Sequence, residues 1–578
     1  MTVKTDAATS ATATTDPIQE DLAIVEATVE ALTSSIPAAL SPKQAAAAVG
    51  RFASSLMTQP QVLTRHFVDT AVEGAKIVAG TSEIAAGAKD RRFAHEAFTT
   101  NPVYKRLAQA QTLAERKTGE LIDGLDLDPK SQIRSRYLAD LMLSASAPTN
   151  QLLGNPAALE EARRTKGRSL VDGARHALHD VLHNGAMPSM VDTRPFTPGD
   201  TVACTPGAVV YSNAVLELIQ YTPTTETVFE RPVFVMPPQI NKYYILDLAP
   251  GRSLIEHLVS NGHQVLMVSW RNVGPEHRDW NLDTYVAATL EAMDAALEVT
   301  GADDLNLLGV CAGGITASAL LGHLAAVGDK RVNSVSYLVT ILDWDEPSMI
   351  GSMISGPVLG AARRRSQRKG VLDGGDLGRV FAWLRPNDLV WNYWVNNYLT
   401  GKNPPAFDVL SWNVDATNLP AGLHSDFLQI AGTNGLLKAG HITVLDTPVD
   451  LSSIQCDSFV VGAVTDHITP WTGCFATVNA LGGTSEFVLS SQGHIQALVN
   501  PSGNPKGSFR TGDAIVGAGG GQTAQDWLEQ STEHSGSWWD HWTQWLSSRS
   551  GEHKASPTEL GSQTHPSGIA APGSYVHG

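Results

Sequence analysis

The sequence predicts an α/β fold with a mainly parallel sheet, preceded by an all-helical N-terminal domain. Three observations carry this. From about Pro195 onward, apolar runs of strand length alternate with amphipathic helical stretches. Upstream of that point, apolar residues recur at helical spacing. One apolar run, Leu305-Asn306-Leu307-Leu308, passes through Gly309-Val310-Cys311-Ala312-Gly313-Gly314 into the helical pattern Ile315–Leu321.

Residues 1–16 are rich in Thr, Ala and Asp, and such a segment buries too little apolar area to offset chain entropy. A disordered tail is expected there. Residues 17–195 are expected to form the helical domain. Leu22, Ile24, Val25, Val29 and Leu32 fall at helix spacing, and Pro102–Ile122 and Pro156–Leu182 repeat the pattern between Asn, Pro and Gly punctuation. Residues 196–578 are expected to form the α/β domain. Thr197-Pro198-Gly199-Asp200 and Thr205-Pro206-Gly207 are turn signals beside the short run Ala208–Tyr211. Strand-like runs follow at Val233–Met236, Gln264–Trp270, Leu305–Val310, Ser334–Leu342, Ser458–Val464 and Glu486–Leu489, and Leu282–Val299 is an amphipathic helix among them. Between two of these runs lies an insertion, about residues 344–448, rich in Trp, Tyr, Asn and Pro. The stretch from Gly551 onward is Gly/Pro/Ser/His-rich and expected to be irregular.

Composition narrows the function classes. With 578 residues and 42% apolar content, the chain can bury a large core. A formal net charge of −17 counts against nucleic acid as the main partner. Cys204, Cys311, Cys456 and Cys474 make no disulfide framework and lack the paired spacing of a zinc site, so no metal or cofactor is expected. No apolar run reaches the roughly 18 residues of a membrane span, and the N-terminus lacks the apolar core of a signal peptide. A reducing cytoplasm is the expected setting.

Strand, glycine-flanked turn and helix is the setting of the nucleophile elbow of α/β-hydrolases, written G-x-S-x-G. Here Cys311 stands in the serine's place. The plain alternative is an inert buried thiol. A nucleophilic thiol needs a base, and the base an orienting acid, in the chain order nucleophile, Asp, His. Asp466 follows the run ending at Val464, and His494 follows Phe487-Val488-Leu489 behind Gly493. Each lies just past a strand's carboxyl end, where α/β sheets place their sites. Read blandly, Asp466 is a helix cap and His494 a loop histidine. His467 is a rival base, placed one strand too early. The backbone N–H of Ala312 is the first expected oxyanion donor. Pro237 and Pro238 have no N–H, which leaves Gln239 or Ile240 for the second, and Ile240 is taken.

The motifs resemble those of polyhydroxyalkanoate (PHA) synthases along most of the chain. They are Pro237-Pro238-Gln239-Ile240-Asn241-Lys242-Tyr243-Tyr244, Val268-Ser269-Trp270-Arg271-Asn272, the Cys311 elbow and Leu384-Arg385-Pro386-Asn387-Asp388-Leu389-Val390-Trp391-Asn392-Tyr393. Trp412-Asn413, Asp415–Pro420, Asp466-His467-Ile468-Thr469-Pro470-Trp471 and Gly493-His494-Ile495 complete the set. Arg92-Phe93 and Asn101-Pro102-Val103-Tyr104 extend it toward the N-terminus, and Phe98 departs from the family's usual Trp. The resemblance implies a single-subunit synthase. Ile315-Thr316 and Gly536-Ser537-Trp538-Trp539 look closer to class II, whose members favour medium-chain monomers. It further implies (R)-3-hydroxyacyl-CoA as substrate, a growing PHA chain and CoA as products, a homodimer, attachment to the PHA granule surface, and a lid formed by the insertion. Cys311, Asp466 and His494 would carry the chemistry, with Asp466 orienting His494 or activating the hydroxyl itself. A thioesterase or PHA depolymerase of the same fold is the rival enzyme, and a granule-coat protein the non-enzymatic rival.

Overall fold

The computed structural model describes residues 60–578 apart from 354, 355 and 520. The expected tail, residues 1–16, and the helical pattern from Leu22 to Leu32 lie outside the described residues. The first described elements are helices: α1 (Pro60–Ala79), α2 (Pro102–Asp123), α3 (Pro129–Ala145) and α4 (Arg168–His183). Their starts follow from local chemistry. Asn101 accepts from the N–H groups of Val103 and Tyr104 with Pro102 in the first turn, and Asp128 accepts from Ser131 N–H ahead of Pro129. The expected continuous helix Pro156–Leu182 is broken instead. It ends at Arg164 and restarts at Arg168, because Lys166 and Gly167 turn left-handed at φ 54° and 86°.

The central sheet has eleven strands. They are β1 (Gly207–Ser212), β2 (Leu216–Tyr221), β3 (Val233–Met236), β4 (Val265–Trp270), β5 (Leu305–Val310), β6 (Val332–Leu338), β7 (Asp457–Ala463), β8 (Thr484–Ser490), β9 (Ser508–Thr511), β10 (Ile515–Val516) and β11 (Thr532–Ser535). Their spatial order is β1-β2-β4-β3-β5-β6-β7-β8-β9-β11, with β10 paired to β8. From β4 to β8 every pairing is parallel, and the pairings at both ends are antiparallel. Strands β3, β4 and β5 are buried on both faces, which is why they read as largely apolar runs. The run expected to continue to Leu342 leaves the sheet after Leu338, where Val339 turns to φ 44°.

One face of the sheet packs against α6 (Leu282–Thr300), α7 (Ala312–Val327) and α8 (Trp471–Ala480). The other packs against α5 (Leu254–Ser260) and α9 (Trp538–Ser547), whose Trp538, Trp539 and Trp542 are fully buried. Trp542 donates its indole N–H to Ser336 Oγ on β6 at 2.9 Å, meeting the polar need of a buried indole. The C-terminal stretch is irregular but tied down. Gly561 N–H bonds Gln220, and the N–H groups of Ser574 and Tyr575 bond Glu217, so both polar side chains of β2 are satisfied while buried. Among the described residues no helix is long and apolar enough to cross a membrane.

Between β6 and β7 the chain builds a layer of its own. It contains the helices Gly356–Lys369, Gly374–Leu384, Asp408–Val414 and Ala421–Thr433, and two π-helical turns, Asn387–Trp391 and Trp394–Leu399. The N-terminal helices grip this layer. Tyr398 OH donates to Asp180 at 2.8 Å, Trp394 Nε1 to Asn150 O at 3.1 Å, and Tyr137 OH to Trp383 O at 3.1 Å. Only glycine fits at position 173, because a Cβ there would lie 2.0 Å from Tyr398 O.

Candidate active site

Cys311 joins the end of β5 to the start of α7 at φ 51°, ψ −121°. A non-glycine residue held there stores about 1–3 kcal/mol of strain. The surroundings over-determine it: Cys311 N–H donates to Leu338 O at 2.9 Å, and its carbonyl accepts from Gly314 N–H at 2.9 Å and Thr340 Oγ1 at 3.2 Å. The flanking glycines let strand and helix approach. A Cβ would fall 2.8 Å from Gly314 Cα at Gly309, 2.3 Å from Met236 O at Gly313, and 2.1 Å from Thr340 Oγ1 at Gly314. Cys311 is half-buried at the N-terminus of a sixteen-residue helix, whose first N–H groups have no partner within the helix.

Asp466 sits in the turn beyond β7. Its Oδ1 accepts the N–H groups of Ile468 at 2.8 Å and Thr469 at 2.9 Å, and its Oδ2 accepts the Thr469 hydroxyl at 2.7 Å. His494 opens a short helix, His494–Leu498, just past β8. Its Nδ1 lies 2.6 Å from Asp466 Oδ2, and the Cys311 sulfur interacts electrostatically with the ring. With Nδ1 engaged by the carboxylate, Nε2 is the nitrogen left for sulfur. The Asp466 carboxylate is fully shielded, and the His494 side chain is only 6% exposed. Burial alone would push the imidazole toward its neutral form. The Asp466 carboxylate and the Cys311 sulfur outweigh it and raise the His494 pKa. The same pairing lowers that of Asp466 against its own burial. The structure therefore brings together three side chains from positions 311, 466 and 494.

Residues 89–258 match the family described as poly-beta-hydroxybutyrate polymerase (PhaC) N-terminus, and residues 232–501 match the alpha/beta hydrolase fold. Over 519 residues the chain is 44% identical to poly(3-hydroxyalkanoate) polymerase 1 of Ectopseudomonas oleovorans, covering 90% of this chain and 92% of that relative. The chain belongs to the poly(3-hydroxyalkanoate) polymerases. It is also 43% identical to polymerase 2 of Ectopseudomonas oleovorans over 521 residues, 90% of this chain and 92% of the relative. The polymerase subunit of Cupriavidus necator is 38% identical over 522 residues, 89% of this chain and 87% of the relative.

Polymerases of this family are acyltransferases on an α/β-hydrolase fold, and the remaining expected residues can be placed in that frame. Ala312 is the first residue of α7, so its N–H is among the donors a helix leaves unpaired. The Ile240 loop runs beside the start of α7. Gln239 Nε2 donates to Thr316 Oγ1 at 3.0 Å, Thr417 Oγ1 donates to Gln239 O at 2.7 Å, and Thr417 N–H donates to Ile240 O at 3.2 Å. Trp412 Nε1 bonds Lys242 O at 2.7 Å. The layer between β6 and β7 thus holds the Ile240 loop as well as lying against the helical region. His467 is separate: no hydrogen bond joins it to Asp466 or Cys311 among the described residues, and its Nδ1 is buried without a partner. Burial first, and then the Arg385 guanidinium, pull its pKa down to about 4. Among the described residues no group of three His, Cys, Asp or Glu side chains could hold a metal ion.

Two contacts escaped the sequence reading, Thr469 against the Asp466–His494 pair and Thr417 against the Ile240 loop. Thr469 lay in a segment quoted for its family likeness, and Asp466-x-x-Thr469 is a turn pattern in which a carboxylate gathers the following N–H groups.

Proposed function

We propose that this polymerase converts (R)-3-hydroxyacyl-CoA into polyester through an acyl thioester on Cys311. The observation that carries this is the relay itself: a cysteine on a strained elbow, its sulfur acting on a histidine whose Nδ1 is held by a buried carboxylate. His494 accepts the thiol proton, and the Cys311 thiolate attacks the CoA thioester carbonyl. The N–H groups of Ala312 and Ile240 receive the oxyanion. The C–S bond to CoA breaks, and the CoA sulfur takes the proton from His494. Because one thioester replaces another, loading is nearly isoenergetic and the acyl group stays activated.

His494 then accepts the proton of an incoming 3-hydroxyl, whose oxygen attacks the acyl-cysteine. An ester forms, the bond to Cys311 breaks, and the sulfur is reprotonated. Asp466 serves as the orienting acid in this scheme. Its oxygens are already occupied by Ile468, Thr469 and His494 and its pKa is lowered, which speaks against a second role as base toward the hydroxyl.

In this reading residues 196–578 are the catalytic domain, residues 344–448 are a lid that keeps water from the thioester, and the helices described between residues 60 and 195 brace the lid. The enzyme acts in the cytoplasm as a homodimer at the PHA granule surface, with medium-chain monomers preferred. The test is incubation with 3-hydroxybutyryl-CoA and with 3-hydroxydecanoyl-CoA, following CoA release and solvent-extractable polymer. CoA released with polymer, faster from the decanoyl substrate, is expected. CoA released with soluble 3-hydroxy acid and no polymer would mean a thioesterase.

A further inference from the structure

We propose that Thr469 is a positioning residue of the relay, its hydroxyl fixing Asp466 Oδ2 against His494 Nδ1 and sharing the Nδ1 proton when the imidazole is charged. Three atoms form a closed triangle: Nδ1 to Oδ2 at 2.6 Å, Thr469 Oγ1 to Oδ2 at 2.7 Å, and Oγ1 to Nδ1 at 3.1 Å. A hydroxyl has one proton and two lone pairs. The proton goes to the carboxylate, which can only accept, so a lone pair is left toward Nδ1–H.

The turn does not need this hydroxyl. Asp466 Oδ1 already holds it through the N–H groups of Ile468 and Thr469, and the Thr469 carbonyl is tied to α8 by Cys474 Sγ at 3.5 Å. The hydroxyl is the part of Thr469 that faces the imidazole, in a residue only 4% exposed. The other titratable groups around the pair are Cys311 in front of the ring, Cys474 and His467 beside Asp466, and Arg385 and Asp388 beyond His467. Among the described residues, Thr469 Oγ1 and His494 Nδ1 are the side-chain donors on Oδ2.

The inference rests on Cys311, His494 and Asp466 acting as a triad, so the experiment carries a control for that reading. Thr469→Val keeps the shape and removes the hydroxyl, Thr469→Ala repeats the loss should valine fail to fold, and Thr469→Ser restores it. Two quantities are measured on the full chain: kcat and KM for CoA release, and the pH dependence of Cys311 alkylation by iodoacetamide, read by mass spectrometry of the Cys311 peptide. Removing the hydroxyl makes the imidazolium less favourable, so the thiolate appears at higher pH. Val and Ala are expected to lower kcat about tenfold with KM little changed and to move the alkylation profile upward, while Ser brings both back. A folded Val or Ala variant with wild-type kcat and profile overturns the proposal. So does a Ser variant as impaired as Val, which would mean that the methyl group matters and the hydroxyl does not. Undiminished CoA release by Cys311→Ala would remove the triad reading itself, and this inference with it.

Discussion

His494 Nδ1 stands 2.6 Å from Asp466 Oδ2, with both side chains shielded from water, and the pairing shifts the pKa of each. The His494 pKa is raised, so its stabilisation is complete below the unfolded value of about 6.5 and is lost as pH rises through the folded value. The Asp466 pKa is lowered, so its share is present above about 3.9 and is lost as pH falls through the folded value. His494→Gln should therefore cost stability mainly at neutral and mildly acidic pH: its melting-temperature deficit is largest near pH 6 and shrinks as pH rises through the folded value. Its CoA release should fall by at least about 10³-fold. A deficit that grows with alkalinity would contradict the raised pKa.

His467 should behave differently. At about 4 its pKa leaves it neutral through the working range, and it has no hydrogen bond to Cys311 or Asp466. His467→Gln is expected to cost less than about tenfold in kcat, far below a triad loss, with the pH profile unmoved. Abolished turnover in this variant beside an active His494→Gln would exchange the two roles.

Position 313 tests the elbow. A Cβ there meets the backbone oxygen of Met236 at 2.3 Å and that of Pro237 at 2.6 Å, and backbone cannot swing aside. Gly313→Ala should destabilise the fold by about 1–3 kcal/mol and cost more activity than stability, because α7 would shift and carry Ala312 N–H with it. Gly301→Ala, with open space around its Cβ but φ 63°, is the comparison. It should lose stability without losing kcat. Thermal melts and CoA release on both variants separate the effects.

What could be read in the sequence follows from what is local. β3 and β5 are buried on both faces and announce themselves as apolar runs, whereas β2 carries Glu217 and Gln220 inside and is disguised. Those two side chains are paid for by a tail more than 300 residues away. Cys311, Asp466 and His494 were legible because each lies just past a strand end, in the order the fold imposes. Thr469 was not, since its meaning lies in a distance to a ring 25 residues on. The helix break was hidden because a left-handed turn of just two residues, Lys166 and Gly167, decides it.

The grip between Tyr398 and Asp180 spans 218 residues of sequence. Asp180 is buried to 2% side-chain exposure and also accepts from Ser189 N–H at 3.0 Å and from the Ser189 hydroxyl. Tyr398→Phe removes one donor from a buried carboxylate, a loss of about 1–3 kcal/mol. Limited proteolysis should cut the layer between β6 and β7 faster in this variant, while Cys311 alkylation keeps its pH profile. Unchanged proteolysis would mean that the helices lie against the layer without bracing it.

Cys311→Ser asks why the elbow carries sulfur. The hydroxyl is smaller and keeps the donor, so the left-handed turn, with Cys311 N–H on Leu338 O, should survive and the melting temperature should move little. Chemistry should not survive. A thiol gives up its proton to an imidazole far more readily than a serine hydroxyl does. Any acyl group that does reach oxygen becomes an ester, less activated than the thioester it came from, so transfer to the next hydroxyl has no downhill step. CoA release should drop by at least about 10²-fold, and mass spectrometry should find residual acyl groups lodged on residue 311 instead of passed to polymer. A serine variant that polymerises at the wild-type rate would show that activation of the acyl group is not the reason for the cysteine.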